Sequence, residues 1–246
     1  MKRVMITGAM GRIGRVLSNA FREKFRLVLI DRAECDIDLG SQDEFISIDI
    51  VRQELPNAAF LDVDAIIHLA AIPHASASFD ELLPANILAT QRIYEQASKF
   101  NIRRLVFASS AQVIEGYPLD LQLRSDVLPK PANLYGATKA FGEALGAYYA
   151  SLGTMSVVAL RIGAFEPYES PNLLTLRDLT AWLSPRDAIQ LFQRALEAPV
   201  EGFLVANGIS NNRLKRLALD DTRRRLGYEP QDDAFSAFPE LLSKVI

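Results

Sequence analysis

The chain has 246 residues, 49% of them apolar and 23% charged, with a net charge of −3. That size suits one large domain, or a domain with a small appendage, and the composition is that of a globular protein. The mild negative charge gives no electrostatic basis for nucleic acid, no run of about 18 apolar residues predicts a membrane span, and no signal-peptide core follows Lys2 and Arg3, so a cytoplasmic protein is expected.

Cys35 has no second cysteine to pair with, and His68 and His74 are too few for a zinc site, so no metal is expected. Chemistry must come from hydroxyls, carboxylates, amines or an organic cofactor.

In chain order, "RVMIT" (3–7), "RLVLI" (26–30), "DAIIHLAA" (64–71), "RRLVFASS" (103–110) and "SVVALRIG" (156–163) read as buried strands. Helix-like stretches separate them. One runs from Gly11 to Arg22. A second runs from Leu83 to Lys99, with Leu83, Ile87, Tyr94 and Ala97 on one face. A third runs from about Tyr135 to Ala150. Pro129 and Pro131 mark a loop before it, and "EPYESPN" (166–172) marks another after the fifth strand. Such alternation predicts a parallel sheet covered by helices on both sides, because parallel strands need crossover connections. Residues 1–165 are expected to form the cofactor-binding core, and 166–246 a small substrate-facing tail. Within that tail, "LFQRALEAPVEGFLVANG" reads as helix, turn and strand, so part of it is expected to rejoin the core. The basic cluster Arg213, Lys215, Arg216 and Arg223 to Arg225 reads as a solvated helix face, offset in part by Asp220 and Asp221.

The first strand ends in Gly8, Gly11 and Gly14, spaced G-x-x-G-x-x-G, before the amphipathic stretch that begins at Arg12. Gly8 permits a tight turn, Gly11 lets a pyrophosphate approach the backbone, and Gly14 lets helix and strand pack closely. Free N–H groups at the helix start then face the phosphates. Asp31 ends the second strand 17 residues after Gly14, where a carboxylate hydrogen-bonds ribose hydroxyls and repels a 2′-phosphate. This pattern predicts NAD over NADP, with the neighbouring Arg32 able to soften that choice.

"NLYGATKAFGEAL" places Tyr135 and Lys139 four apart on one helix face. A phenol near pKa 10 is a poor base at neutral pH, and an adjacent ammonium favours the phenolate. Tyr135 then takes the proton of a substrate alcohol while a hydride leaves for the nicotinamide. "FASSAQ" offers Ser109 and Ser110 at the carboxyl edge of the sheet to hold the alcohol oxygen.

With its T-G-x-x-G-x-x-G turn, "HLAA", "FASS", "YGATK" and "LRIG" in this order, the chain resembles the extended short-chain dehydrogenases/reductases, the NAD-dependent epimerase/dehydratase superfamily. The resemblance covers roughly residues 1 to 230. It implies an α/β fold, a Rossmann-type doubly wound parallel sheet with a small C-terminal substrate-binding part. It makes Ser110, Tyr135 and Lys139 the catalytic trio, with Ser109 the alternative serine. It places Gly8, Gly11, Arg12, Ile13, Gly14, Asp31, Arg32, Asp49, Ile50, Leu69, Ala70, Ala71, Ser109 and Ile162 along the NAD site, Gly163 near its nicotinamide end, and Asn86 near the cofactor or acting on Lys139 through water.

The tail, with "LRIGAFEP", "RDLTAWLSPRDAIQLFQRALEAPV" and "LGYEPQDDAF", resembles the uronate dehydrogenase branch, which oxidises the C1 hydroxyl of a cyclic uronic acid with NAD. The resemblance implies that Arg177 clamps the sugar acid, through paired donors suited to a carboxylate. An ion pair with Asp178 or Glu169 is the alternative use of that guanidinium. Ala111, Pro73 and Ala164 stand where that branch carries an asparagine and two serines facing the sugar, alongside His74 and Tyr135 on the substrate side. Missing polar groups imply a less polar or differently phosphorylated substrate. His68 and Trp182 read as core. The activity implied is an NAD-dependent dehydrogenase acting on a small sugar or sugar acid; a sugar-nucleotide epimerase and a non-catalytic NAD-sensing protein are the competing readings. Family members commonly dimerise through two helices per subunit, which implies a homodimer built on 83–99 and 135–150.

Overall fold

Alternation of side chains along parallel strands accounts for most of the apolar sequence. The computed structural model describes residues 1–169 and 171–241. Ser170, inside the loop expected at 166–172, and residues 242–246 at the end of the tail lie outside the described residues. The strands are β1 (Arg3–Thr7), β2 (Arg26–Asp31), β3 (Glu44–Ser47), β4 (Ala65–His68), β5 (Arg104–Ser110) and β6 (Ser156–Ile162), then β7 (Ala164–Phe165), β8 (Trp182–Leu183) and β9 (Phe203–Gly208). Seven of them form one parallel sheet in the order β3-β2-β1-β4-β5-β6-β9, and β7 pairs separately with β8. Period-two alternation divides the sheet between two cores. Val4, Ile6, Leu27, Leu29, Val106 and Leu160 face one; Met5, Val28, Ile66, Leu105, Val157 and Ala159 face the other.

The helices are α1 (Arg12–Phe21), α2 (Phe79–Leu82), α3 (Ala89–Lys99), α4 (Leu134–Ser151), α5 (Leu176–Thr180), α6 (Pro185–Glu197), α7 (Asp220–Leu226) and α8 (Ala234–Ala237). The first core is closed by α1 and α6, the second by α3 and α4. This is the α/β, doubly wound parallel architecture expected from the sequence. β9, from the tail, extends the sheet beyond β6.

Two local expectations need correction. The second helix begins at Phe79, not Leu83, because Ser78 and Glu81 form a capping box ahead of α2. Between α2 and α3, Leu83–Leu88 winds as π-helical turns. Those wider turns shift the helical phase, so Leu82, Ala85 and Ala89 are buried while Leu83 and Ile87 are only half-buried. β3 escaped the sequence reading because its four residues are half-buried or exposed and carry no apolar run.

The basic cluster divides. Arg223, Arg224 and Arg225 are exposed on α7, as expected. Arg216 is instead buried and donates to the carbonyls of Tyr117, Pro118 and Leu121. Trp182 is fully buried beside Leu179, Phe235 and Phe238, with its Nε1–H donated to the Glu166 carbonyl at 3.0 Å.

Candidate active site

The strand order reverses between β2 and β4 on either side of β1, which leaves a crevice beyond the carboxyl ends of the strands. A cavity of about 860 Å³ lies there. Its walls come from the turn after β1, the ends of β2, β5 and β6, the segment after β4, and the loop after β7.

The glycine turn forms one wall for stereochemical reasons. Gly8 has φ +72°, a left-handed conformation, and a Cβ there would sit 2.8 Å from Ala70 N. A Cβ on Gly14 would fall 2.2 Å from the Gly8 carbonyl oxygen and 2.6 Å from that of Ala9. Helix α1 can therefore rest directly on the turn. Its N-cap, Gly11, has no side chain to accept a hydrogen bond, and no acidic residue stands in the first turn. The leading N–H groups of α1 thus face the cavity without an internal anion, which fits a diphosphate. Arg12 reaches across the mouth, donating to the Phe165 carbonyl at 2.8 Å and to Glu166 Oε2 at 2.5 Å.

At the end of β2, Asp31 accepts the N–H groups of Met10 and Ala33 at 2.8 and 2.9 Å. These bonds fix the carboxylate beside the turn. Arg32, Asp49, Ile50, Leu69, Ala70 and Ala71 line the same end. Asp49 accepts the Val51 N–H at 3.0 Å, which shapes that wall. This chemistry suits the adenosine half of a dinucleotide.

Ser110, Tyr135 and Lys139 all line this cavity. Asn133 caps α4 by accepting the Gly136 N–H at 2.8 Å, which aims the first turn of the helix at the end of β5. Burial raises the Tyr135 phenol pKa, and its hydrogen bond with Ser110 works in the opposite direction. Lys139 Nζ donates to the Ala108 carbonyl at 2.7 Å and lies 5.8 Å from the Tyr135 ring centroid. Burial lowers the Lys139 pKa to about 7. Ser109 is differently engaged: its hydroxyl donates to Glu143 Oε1 at 2.6 Å. Glu143 in turn takes a bidentate pair from Arg161, with both bonds at 2.8 Å. This buried pair ties α4 to β6 directly behind Tyr135 and Lys139.

His68 is buried between Thr7 Oγ1 at 2.7 Å and Thr90 Oγ1 at 3.1 Å. Burial, with the charge of Lys139, lowers its pKa to about 3. A neutral imidazole, donating on one side and accepting on the other, is a packing group, as the sequence suggested.

Pro73, His74, Ile162, Gly163, Ala164 and Arg177 also line the cavity. Two expected residues do not. Asn86 is buried, and its amide is committed to Ile72 O, Ile72 N and Thr138 Oγ1 at 2.8–3.1 Å, so it anchors the segment after β4 to α4. Ala111 turns into the core, and its neighbour Gln112 faces the cavity in its place. Glu81, Phe165, Glu166 and Asn172 join the lining without any local sequence signal. Gln112 was nearest to being legible, one position from the residue singled out.

Arg177, on α5, pairs with Glu115, from which it is separated by 62 positions. Its Nε donates to Glu115 Oε1 at 3.0 Å, a second donor meets Oε2, and a third reaches Asp178 Oδ1 at 3.4 Å.

The family model described as "NAD dependent epimerase/dehydratase family" matches residues 4–183. The chain belongs to that family. It is 33% identical to an NAD-dependent glucose-6-phosphate dehydrogenase of Haloferax volcanii, covering 94% of each chain. It is 34% identical to an L-arabinose 1-dehydrogenase (NAD(P)(+)) of the same organism, covering 95% of this chain and 98% of the relative. The crystal structure of uronate dehydrogenase from Agrobacterium tumefaciens superposes with a TM-score of 0.85 at 30% identity, covering 100% of this chain and 90% of that one. The resemblance to the epimerase/dehydratase superfamily and to its sugar dehydrogenases is thus borne out.

Proposed function

We propose that this family member is an NAD-dependent dehydrogenase that oxidises an alcohol, the C1 hydroxyl, of a small sugar or sugar acid. The observation that carries the reading is the meeting of Ser110, Tyr135 and Lys139 in the cavity walled by the glycine turn. The relatives' activities agree with it.

The cavity residues fit NAD: Gly8, Gly11 and Gly14 leave room at the start of α1, and Asp31 presents a carboxylate at the ribose position. NAD, when bound, supplies the hydride acceptor. The chain supplies the proton chemistry. Ser110 holds the substrate oxygen and Tyr135 Oη takes its proton. Because a phenol is protonated at neutral pH and burial raises the Tyr135 pKa further, positive charge beside it is required for that step. Lys139 provides such a charge in its ammonium form. The Glu143–Arg161 pair and the Asn133 cap hold α4 so that all three side chains keep their positions.

The test is NADH formation across a panel of aldoses, uronates and sugar phosphates, with Tyr135→Phe alongside. The variant is expected to lose turnover by about 10²–10⁴-fold, the range of a proton-transfer group, while binding NAD normally. Near-native turnover by the variant overturns the assignment of Tyr135. The reading also includes a homodimer formed through residues 83–99 and 135–150, which light scattering at micromolar concentration tests, and a cytoplasmic place of action. No helix among the described residues is long and apolar enough to cross a membrane.

A further inference from the structure

The relatives act on substrates of different charge, so family membership leaves open whether this cavity takes an anionic or a neutral sugar. Its own residues address that. Arg177 lines the wall that also carries Ala164, Asn172 and the Arg12–Glu166 pair. A guanidinium there suits a substrate carboxylate only if two parallel donors are free. Here the side-on fork made by Nε and one terminal nitrogen is filled by Glu115, and the other terminal nitrogen leans toward Asp178. A substrate carboxylate is left only the remaining terminal N–H groups of a guanidinium whose charge is already shared. Both Arg177 and Glu115 side chains are 16% exposed, so water screens the pair only partly. Arg216 lies near enough to feel both Glu115 and Arg177, but it donates to three backbone carbonyls and does not line the cavity. Arg12, at the same wall, is paired with Glu166. Counting Arg216, Glu115 and Asp178 just behind the lining, this end of the cavity has three cations and three carboxylates around it and no net positive charge to offer. Pro73 and Ala164, also on the lining, add no side-chain donor.

We propose that Glu115 is a specificity-determining residue: its carboxylate occupies Arg177 in place of a substrate carboxylate, so that the cavity selects neutral aldoses over uronates. This rests on the dehydrogenase reading above. A uronate entering the cavity meets a guanidinium already neutralised, with the carboxylates of Glu115 and Asp178 behind it opposing a third negative charge. An aldose with a hydroxymethyl group, or nothing, at that position meets neither penalty. Removing the charge of Glu115 while keeping its shape leaves the Arg177 charge uncompensated by Glu115 and releases one arm of its fork, which shifts the preference toward the uronate.

The comparison uses D-galactose and D-galacturonate, which differ only in a hydroxymethyl group against a carboxylate. Native protein is expected to favour galactose at least tenfold in kcat/KM, and Glu115→Gln to raise the galacturonate-to-galactose ratio at least tenfold. A merely structural role would lower both values together and leave the ratio unmoved. Preference of the native protein for galacturonate overturns the proposal, and that measurement needs no variant. So does an unmoved or reduced ratio in E115Q. If neither sugar is oxidised, calorimetric titration of galacturonate into NAD-loaded Y135F and Y135F/E115Q proteins decides. Binding at least tenfold tighter in the double variant supports the proposal, and equal or undetectable binding in both overturns it. Absence of NADH from every sugar tested, with NAD bound, counts against the dehydrogenase reading instead.

Discussion

Replacing Lys139 by Met is expected to stabilise the protein at neutral pH while disabling it. Lys139 is 4% exposed, and burial lowers its pKa from 10.5 to about 7. Each unit corresponds to about 1.4 kcal/mol, so at pH 7 and below the buried ammonium costs the fold about 5 kcal/mol. The unfolded chain keeps that proton up to about pH 10.5, whereas the folded chain releases it near pH 7. Between these values the unfolded state binds more protons, so this group's contribution to stability improves as pH rises, and the penalty is gone above the window. Against the gain, the variant forfeits the hydrogen bond to Ala108 O, worth about 1.5–3 kcal/mol for a charged donor. The net expectation is a variant more stable by about 2–3.5 kcal/mol at pH 7. Urea denaturation of both proteins from pH 6 to pH 10 measures the difference, which should shrink steadily above pH 7. A variant less stable than native at pH 7, or a difference that does not change with pH, refutes the reasoning. Turnover of the variant should fall at least a hundredfold, because Tyr135 loses its neighbouring cation.

Gly14→Ala brings a Cβ to 2.2 Å from the Gly8 carbonyl oxygen, and both close contacts are with backbone, so α1 must move off the turn. Destabilisation by about 1–3 kcal/mol is expected from such overpacking, and calorimetry should show NAD binding at least tenfold weaker; native NAD affinity sinks the proposed role of the turn. Asp31→Ser removes the carboxylate at the end of β2, and the NADP-to-NAD ratio of kcat/KM should rise tenfold or more. An unmoved ratio argues against Asp31 as the group that discriminates the ribose.

By itself the sequence determined the features that follow from local periodicity. Buried strands appear as apolar runs, a helix places Tyr135 and Lys139 four apart on one face, and glycines at 8, 11 and 14 stand where a strand turns into a helix. These depend on bond geometry within a few residues, so they are legible before folding. The tertiary structure decided which side chains share the charge of each buried group. Arg177 meets Glu115, and Ser109 and Arg161 both meet Glu143, across separations of 62, 34 and 18 positions. It also decided that the π-helical turns at Leu83–Leu88 shift the buried face of the second helix, and that Gln112 rather than Ala111 faces the cavity. Such pairings arise only when separate strands and helices dock, because a charge leaving water takes whatever counter-charge packing brings within reach. The expectation of NAD was therefore legible in the glycine turn and Asp31. The counter-charge on Arg177 was set by a glutamate that no spacing rule connects to it.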